Sequence, residues 1–176
     1  MNALVTQAGG RQLTAGAAAE PQQYLTFMLG GEVFAIGILA IKEIIEYGGL
    51  TPVPMMPSTI RGVINLRGAV VPVMDLAARF GRPSTEPGKR TCIVIVELRA
   101  QDEQQVIGVI VDSVNAVQEI APADIEPAPG FGMRIAPHFI AGMGKVNGKF
   151  VILLDIEQVL SMHEMDQLQA LKPAET

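Results

Sequence analysis

The side chains that most often carry out catalysis are scarce in this sequence. Its two histidines, His138 and His163, lie in no HExxH pattern, and the sequence contains no CxxC or EF-hand spacing. Gly142-Met143-Gly144-Lys145 looks superficially like a phosphate-binding loop, but the Walker spacing fails, and Phe150 stands where Ser or Thr is required. We therefore predict a non-catalytic binding protein with no metal or cofactor.

Composition argues against several other classes of protein. The net charge is −5, and no concentrated basic patch is present, so we expect no nucleic-acid partner. No apolar run is as long as a membrane span, and the N-terminus lacks the basic start and apolar core of a signal peptide. The single cysteine, Cys92, begins an apolar run and is predicted to be a buried core thiol. We expect a cytoplasmic protein that does not insert into the membrane.

Short apolar segments separated by turn residues predict a mostly β fold built from small barrels. Gly30-Gly31 and Asn147-Gly148 are typical of hairpin turns. The segment 38–45 is ambiguous, because its isoleucines fit one helical face whereas its β-branched content favours a strand. The predicted strands are Tyr24–Leu29, Val33–Ile36, Gly62–Leu66, Ala69–Met74, Cys92–Leu98, Val106–Val111, Val114–Ile120, Phe139–Val146 and Phe150–Leu154.

The two ends of the sequence differ from this strand-rich body. Residues 1–21 carry few large apolar side chains and are predicted to form a flexible tail. The spacing of apolar residues predicts a closing helix from Asp155 to Leu171. We therefore place the folded body at 22–162 and assign 163–176 to the end of the helix and a tail.

An internal repeat relates residues 60–80 to residues 140–160 without a gap. In each copy an apolar strand turns at glycine, returns as a second strand and meets an aspartate that is predicted to cap a helix. The pattern predicts two similar β-lobes, although any two hairpins share some glycine and valine by chance. The paired positions are Ile60/Ile140, Gly62/Gly142, Gly68/Gly148, Val71/Val151, Asp75/Asp155, Leu76/Ile156 and Phe80/Leu160.

The two copies differ at the hairpin turn. Asn65-Leu66-Arg67-Gly68 in the first copy corresponds to Lys145-Val146-Asn147-Gly148 in the second. Asn is a favourable residue at such a turn, whereas Arg is not. We therefore interpret Asn65 and Arg67 as candidate recognition residues.

With these segments in view, the chain resembles the CheW family of chemotaxis coupling proteins from about Gln23 to Leu160. The order and spacing of several segments together carry the resemblance. These segments are Tyr24-Leu25-Thr26-Phe27, Ile41-Lys42-Glu43-Ile44, Ile60 to Gly68, Val71 to Leu76, Gly108 to Val114, Ile125 to Pro129 and Ile140 to Gly144.

The resemblance implies a fold and a function. It implies two pseudo-repeated five-stranded Src-homology-3-like barrels with short helices and a C-terminal helix. It also implies an adaptor that links a CheA-type histidine kinase to the cytoplasmic tips of methyl-accepting chemoreceptors in membrane-associated arrays. A kinase core or a receiver domain does not fit into the remaining residues, so a stand-alone adaptor is expected.

The resemblance also implies two binding surfaces. In the family, the receptor helix lies in an apolar groove between the lobes, a helix-in-groove mode of recognition. Two of the matching positions, Glu43 and Arg67, are expected to form an ion pair, whereas Ile38 and Ile41 also fit ordinary core residues. The candidate receptor-binding residues are Ile38, Ile41, Glu43, Gly62, Asn65, Arg67 and Val117.

A second surface matches the family's kinase-type contact. The candidate kinase-binding residues are Ile125, Glu126, Pro127 and Phe131. Glu126 stands where some relatives have a basic residue, so the charge pairing there is open. Gly37 likewise replaces an acidic residue that is common in the family.

Two other functions remain open at this point. An adaptor for a chemosensory array with a non-flagellar output has the same fold. A small-ligand-binding β-barrel predicts convergent polar groups in a pocket, whereas the predicted inward positions are aliphatic.

Overall fold

A computed structural model of the protein describes residues 20–100, 103–129 and 135–161. These ranges contain eleven strands, two short α-helices and three short 3₁₀ helices. The α-helices are α1 (Leu76–Arg79) and α2 (Ile156–Val159), and the 3₁₀ helices are Ile38–Ala40, Pro122–Asp124 and Pro137–Phe139. The strands are β1 (Gln22–Leu29), β2 (Glu32–Gly37), β3 (Ile41–Glu46), β4 (Ile60–Leu66), β5 (Ala69–Asp75), β6 (Cys92–Ala100), β7 (Glu103–Val111), β8 (Ser113–Ile120), β9 (Ile125–Glu126), β10 (Ile140–Val146) and β11 (Lys149–Leu154).

The strands form two sheets, which confirms the prediction of a mostly β protein with two lobes. Lobe 1 is the five-stranded sheet in the order β3-β6-β7-β5-β4. Lobe 2 is the six-stranded sheet in the order β8-β1-β2-β11-β10-β9. Since β1 and β2 belong to lobe 2, lobe 1 is inserted between two parts of lobe 2. The sequence pattern did not predict this insertion, because it depends on pairing between strands that are far apart in the sequence.

The predicted repeat appears in the register of the two matching hairpins. Ile60 pairs with Met74 and Gly62 with Val73, while Ile140 pairs with Leu154 and Gly142 with Leu153. Each hairpin has its register shift at the same step, directly before the repeated glycine. The offset of 80 therefore describes backbone pairing as well as residue type.

The hairpin turns explain one difference between the copies. Arg67 and Gly68 have φ of 53° and 89°, and Asn147 and Gly148 have φ of 51° and 80°. Positive φ at both central residues is the type I′ conformation that closes two-residue hairpins. Arg67 therefore holds a left-handed backbone conformation that asparagine adopts more readily.

One hydrophobic core joins the two lobes. Phe27 and Phe34 of lobe 2 and Val94 and Val109 of lobe 1 are fully buried in the same cluster. The ring of Phe80, which directly follows α1, stacks on Phe34 of lobe 2 with a centroid distance of 5.7 Å. Burial of this shared apolar surface makes separation of the lobes costly.

Polar contacts also cross between the lobes. Arg79 donates from Nε to the Val159 carbonyl at 2.7 Å, and its guanidinium lies 4.7 Å from the centre of the Phe139 ring. Arg82 donates to the Glu32 carboxylate at 2.6 Å. These contacts fix the orientation of lobe 1 relative to lobe 2.

Several local predictions need correction. The ambiguous segment 38–45 forms a 3₁₀ helix at Ile38–Ala40 and then strand β3, so the strand interpretation holds only from Ile41. The segment between the predicted strands Val114–Ile120 and Phe139–Val146, where no element was predicted, contains a 3₁₀ turn and strand β9. Cys92 packs against the core but is half-buried, and burial raises the pKa of its thiol, with a smaller contribution from Glu46.

Both predicted aspartate caps are present. Asp75 accepts from the amides of Ala77 and Ala78, and Asp155 accepts from the amide of Gln158. The predicted closing helix from Asp155 to Leu171 is wrong in its described part, because α2 ends at Val159 with Leu160 as its C-cap. Residues 1–19 of the predicted tail and the part of the predicted helix beyond Ser161 lie outside the described residues.

Candidate partner-binding surfaces

An ion pair joins strand β3 to the turn between β4 and β5. Arg67 donates from Nη1 to Glu43 Oε2 at 2.5 Å and from Nη2 to Oε1 at 2.8 Å. The hydrogen bond from Arg67 lowers the pKa of Glu43, and the same bond raises the pKa of Arg67. Because Arg67 is largely exposed, solvent screens the pair. Its bidentate geometry positions the arginine more than it stabilises the fold.

Asn65 has a structural role in presenting that arginine. Its Oδ1 accepts from the amide of Gly68 at 2.8 Å and closes the turn that contains Arg67. This contact supports the left-handed conformation of Arg67 locally. Asn65 is itself exposed, so its predicted place on a receptor surface stays a prediction.

A 3₁₀ turn presents apolar side chains at the entry to β3. Ile38 and Ile41 are half-buried, and Ile41 packs against the shared core. Between them, the side chain of Leu39 is 92% exposed. The sequence analysis missed this residue, because the apolar type of a residue does not show whether its side chain points to the core or to solvent. Ile38 and Leu39 line a cleft of about 230 Å³ together with Tyr24 and Ile156.

Val117 lies on the outer strand of lobe 2. It pairs with Leu25 of β1, which pairs on its other side with Ile36 of β2. Val117 is 48% exposed on β8, which is an edge strand. The short cleft beside Ile38 does not include Val117. Ile41 lies on β3 of lobe 1 and Val117 on β8 of lobe 2, so this cleft does not join the predicted receptor-binding residues.

Gly62 is buried and already in contact with its own chain. A Cβ atom at this position would lie 2.5 Å from the carbonyl oxygen of Thr51. Thr51 is held there by two hydrogen bonds with Val63, each of 2.9 Å. The space left by the missing side chain of Gly62 is therefore occupied by the backbone of Thr51. The predicted contact of Gly62 with a receptor stays a prediction.

The candidate kinase-binding residues cluster at strand β9. Ile125 and Glu126 pair with Gly144 and Met143 of β10, and Pro127 follows directly. Phe131 lies outside the described residues. A cleft of about 250 Å³ at this position is lined by Glu126, Pro127, Pro129, Met143 and Phe150.

Phe150 is an exposed apolar residue that the sequence analysis missed at this surface. It is 50% exposed, and its repeat counterpart Val70 is 70% exposed. Both residues are the second residue of their strand, and each strand begins with two exposed residues before it becomes buried. The constant offset of 80, which places Phe150 opposite Val70 in the repeat, is the sequence signal that could have found it.

The repeat extends further than the sequence comparison showed. Thr51 bridges Val63, and Glu126 pairs with Met143, which is the counterpart of Val63. Each is followed by the same X-Pro-X-Pro order, in Thr51-Pro52-Val53-Pro54 and Glu126-Pro127-Ala128-Pro129. The two lobes therefore carry similar proline-rich edges, which a gap-free comparison misses because the spacing from the glycine differs.

A comparison with models of protein families identifies the family of the chain. The model of the CheW-like domain matches residues 23–164. The chain belongs to the CheW-like domain family.

Relatives of known name agree with this assignment. The chain is 35% identical over 144 residues to the chemotaxis protein CheW of Klebsiella aerogenes, which covers 82% of this chain and 84% of that protein. It is 32% identical over 145 residues to the chemotaxis protein CheW of Rhizobium meliloti, covering 82% and 91%. The crystal structure of the scaffolding protein TtCheW from Thermoanaerobacter tengcongensis aligns with a TM-score of 0.70 at 32% identity, covering 79% of this chain and 87% of that one.

A cluster around Asp75 in this CheW-like domain was also missed by sequence reasoning. Asp75 is fully buried, and its Oδ2 accepts from the amide of Thr85 at 3.0 Å and lies 3.6 Å from Nη1 of Arg61. Arg61 also donates from Nη2 to the Thr85 carbonyl at 2.6 Å. The cluster joins β4, β5 and the loop after α1, and no local pattern indicates contacts over these separations.

Two further observations concern other classes of site. Within the described ranges, no three His, Cys, Asp or Glu side chains form a group that could hold a metal ion. None of the described helices is long and apolar enough to cross a membrane.

Proposed function

We propose that this CheW-like domain is a chemotaxis scaffold that couples a CheA-type histidine kinase to the cytoplasmic tips of chemoreceptors. The observation that carries the proposal is the family match over residues 23–164, together with relatives named as chemotaxis proteins. In this role the protein works at membrane receptor arrays and contributes binding surfaces rather than catalytic groups.

The receptor surface is proposed to lie where the 3₁₀ turn meets β3. Leu39 supplies an exposed apolar anchor, and Ile38 and Ile41 form the partly buried floor beside it. An amphipathic helix binds such a surface through its apolar face, while charges at the rim fix its orientation. The Glu43–Arg67 pair provides that rim. Glu43 lies two residues after Ile41 on β3, and Arg67 lies in the turn between β4 and β5.

The kinase surface is proposed to lie at β9 and the neighbouring hairpin. Phe150 and Met143 provide apolar area, and Pro127 and Pro129 hold the edge in an extended conformation without N–H donors. Proline has no N–H to donate to an added strand, so these two positions favour docking through side chains over strand addition. This arrangement fits a protein–protein contact whose apolar centre is Phe150.

Reconstitution with the cognate kinase and a receptor cytoplasmic fragment tests the proposal. Co-sedimentation measures assembly, and ATP-dependent autophosphorylation measures coupling. We expect Leu39→Ser to weaken receptor binding while kinase binding persists. We expect Phe150→Ser to weaken kinase binding while receptor binding persists. Lys42→Ser is the matched control for Leu39→Ser, because Lys42 is exposed on the neighbouring strand β3. Lys149→Ser is the matched control for Phe150→Ser, because Lys149 is exposed directly beside Phe150 on β11.

The outcome that refutes the proposal concerns the unmodified protein. If it neither binds the two cognate partners nor stimulates autophosphorylation, the scaffold function is wrong. If it binds both but the two serine variants behave like their lysine controls, the scaffold function stands and the assigned surfaces are wrong.

A further inference from the structure

Three buried polar atoms near Asp75 have no hydrogen-bond partner within the protein. They are the hydroxyl oxygens of Thr59 and Thr85 and Nη1 of Arg61. In the part of the chain that the structure describes, these are all the buried side-chain nitrogen and oxygen atoms in this condition. Buried polar groups are nearly always hydrogen-bonded, so their occurrence on one cluster of residues calls for a shared partner.

Contacts around Asp75 place these residues together. Arg61 Nη1 lies 3.6 Å from Asp75 Oδ2, which is too long for a direct hydrogen bond, and the amide of Thr85 donates to the same oxygen at 3.0 Å. The carbonyl of Thr59 accepts from the amide of Asp75 at 2.8 Å. Thr85 is only 7% exposed, so its hydroxyl has little access to bulk water.

We propose that this cluster is a binding site for one internal water molecule, held by Arg61 Nη1 and the hydroxyl of Thr85, with the Thr59 hydroxyl as third partner. Internal waters typically make about three hydrogen bonds to otherwise unpaired buried groups. The guanidinium can only donate, the carboxylate can only accept, and the hydroxyls can do either, which matches a molecule that both donates and accepts.

The charges of the cluster disfavour an ion as the ligand. An anion at this point would lie against the Asp75 carboxylate, and a metal cation would lie against the Arg61 guanidinium. A neutral molecule avoids both repulsions. Thr85 also lines a cleft of about 540 Å³, through which water can exchange with solvent.

The site belongs to lobe 1 alone. In the repeat, Thr59 corresponds to Phe139 and Arg61 to Ala141, which have no polar side-chain atoms. Asp155, the counterpart of Asp75, is half-buried and caps only the amide of Gln158. Lobe 2 therefore lacks the two side chains at 139 and 141 that would be needed to hold a water in the same way.

Bound water at this point would fix the loop after α1. Thr85 is in that loop, and so is Arg82, which donates to Glu32 of lobe 2. The site thus lies beside a contact that joins the lobes, and it is independent of the receptor and kinase surfaces proposed above.

A high-resolution crystal structure of the full chain and ¹⁷O relaxation dispersion together test the proposal. We expect one density peak at roughly 2.7–3.2 Å from both Arg61 Nη1 and Thr85 Oγ1. We also expect Thr85→Val to remove one long-lived water from the relaxation count. Thr91→Val is the matched control, because Thr91 is equally buried but its hydroxyl already accepts from Gly88 at 2.7 Å.

Two results overturn the proposal. One is a structure in which both threonine hydroxyls bond directly to protein groups and no peak is present, or in which the peak refines as an ion. The other is a water count that Thr85→Val leaves unchanged. If Thr85→Val does not fold, Thr59→Val serves in the relaxation measurement, and the crystal structure of the unmodified chain decides independently.

Discussion

Substitution of Gly62 by alanine should destabilise the protein through a backbone collision with Thr51. The added Cβ atom would lie 2.5 Å from the Thr51 carbonyl oxygen and 2.9 Å from its carbonyl carbon. Backbone atoms cannot turn away as a flexible side chain can, so the segment at Thr51 must move from β4. That movement breaks the two hydrogen bonds between Thr51 and Val63.

The size of the effect follows from those two bonds. A hydrogen bond within a protein contributes about 0.5–1.5 kcal/mol net, so loss of both lowers the free energy of unfolding by about 1–3 kcal/mol. For a domain of this size, each kcal/mol shifts the melting temperature by roughly 2–4 °C. We therefore expect Gly62→Ala to melt about 2–12 °C below the unmodified protein.

Urea and thermal unfolding followed by circular dichroism measure this change. Gly37→Ala is the matched control, because a Cβ atom there meets nothing within 4 Å and the backbone needs no positive φ. The control should keep or slightly raise the melting temperature. If Gly62→Ala is as stable as the control and loses only receptor binding, the structural role derived from Thr51 is wrong and the predicted receptor contact is favoured.

Three further predictions concern charged residues. Arg67→Asn should keep the melting temperature, since asparagine holds the same turn position at Asn147, yet lower receptor-dependent kinase activation; no loss of activation would remove the pair from the receptor surface. The lowered pKa of Glu43 means that the contribution of the pair is present above the ordinary value of 4.5 and is lost as pH falls through the lowered value. The stability difference between the unmodified protein and Glu43→Gln should therefore be constant above that acid range and shrink as pH falls through it. Asp75→Ala should cost about 3–5 kcal/mol because it leaves Arg61 without its buried partner, whereas Asp155→Ala removes only a cap worth about 0.5–2 kcal/mol; equal losses in urea unfolding would contradict the difference in burial.

Local backbone demands explain which parts of the fold could be predicted. The glycines at 62 and 142 and the turns at 68 and 148 fix a bulged strand and a type I′ hairpin, and few other residues fit those positions. The repeat and the two hairpins could therefore be predicted from residue type and spacing. Strand β9 could not, because two paired residues leave no periodic pattern.

Long-range contacts explain what could not be predicted. The membership of β1 and β2 in lobe 2 depends on pairing with β8 and on a two-residue parallel contact with β11. The Asp75 cluster depends on Thr85, which is placed by the loop rather than by any strand pattern. Glu43 and Arg67 were expected to pair only because the chain resembles a known family, and the structure shows the pair.

The insertion of lobe 1 between two parts of lobe 2 has a consequence for the order of events during synthesis on the ribosome. Strands β3 to β7 are contiguous in the chain, so lobe 1 can close as soon as β7 has emerged. The β1–β2 hairpin appears first but must wait for β8, which begins 76 residues after Gly37. At about 5–20 residues per second, that delay lasts roughly 4–15 s. During this interval both edges of the first hairpin to be made are unpaired, so the lobe that begins earliest is the last to be completed.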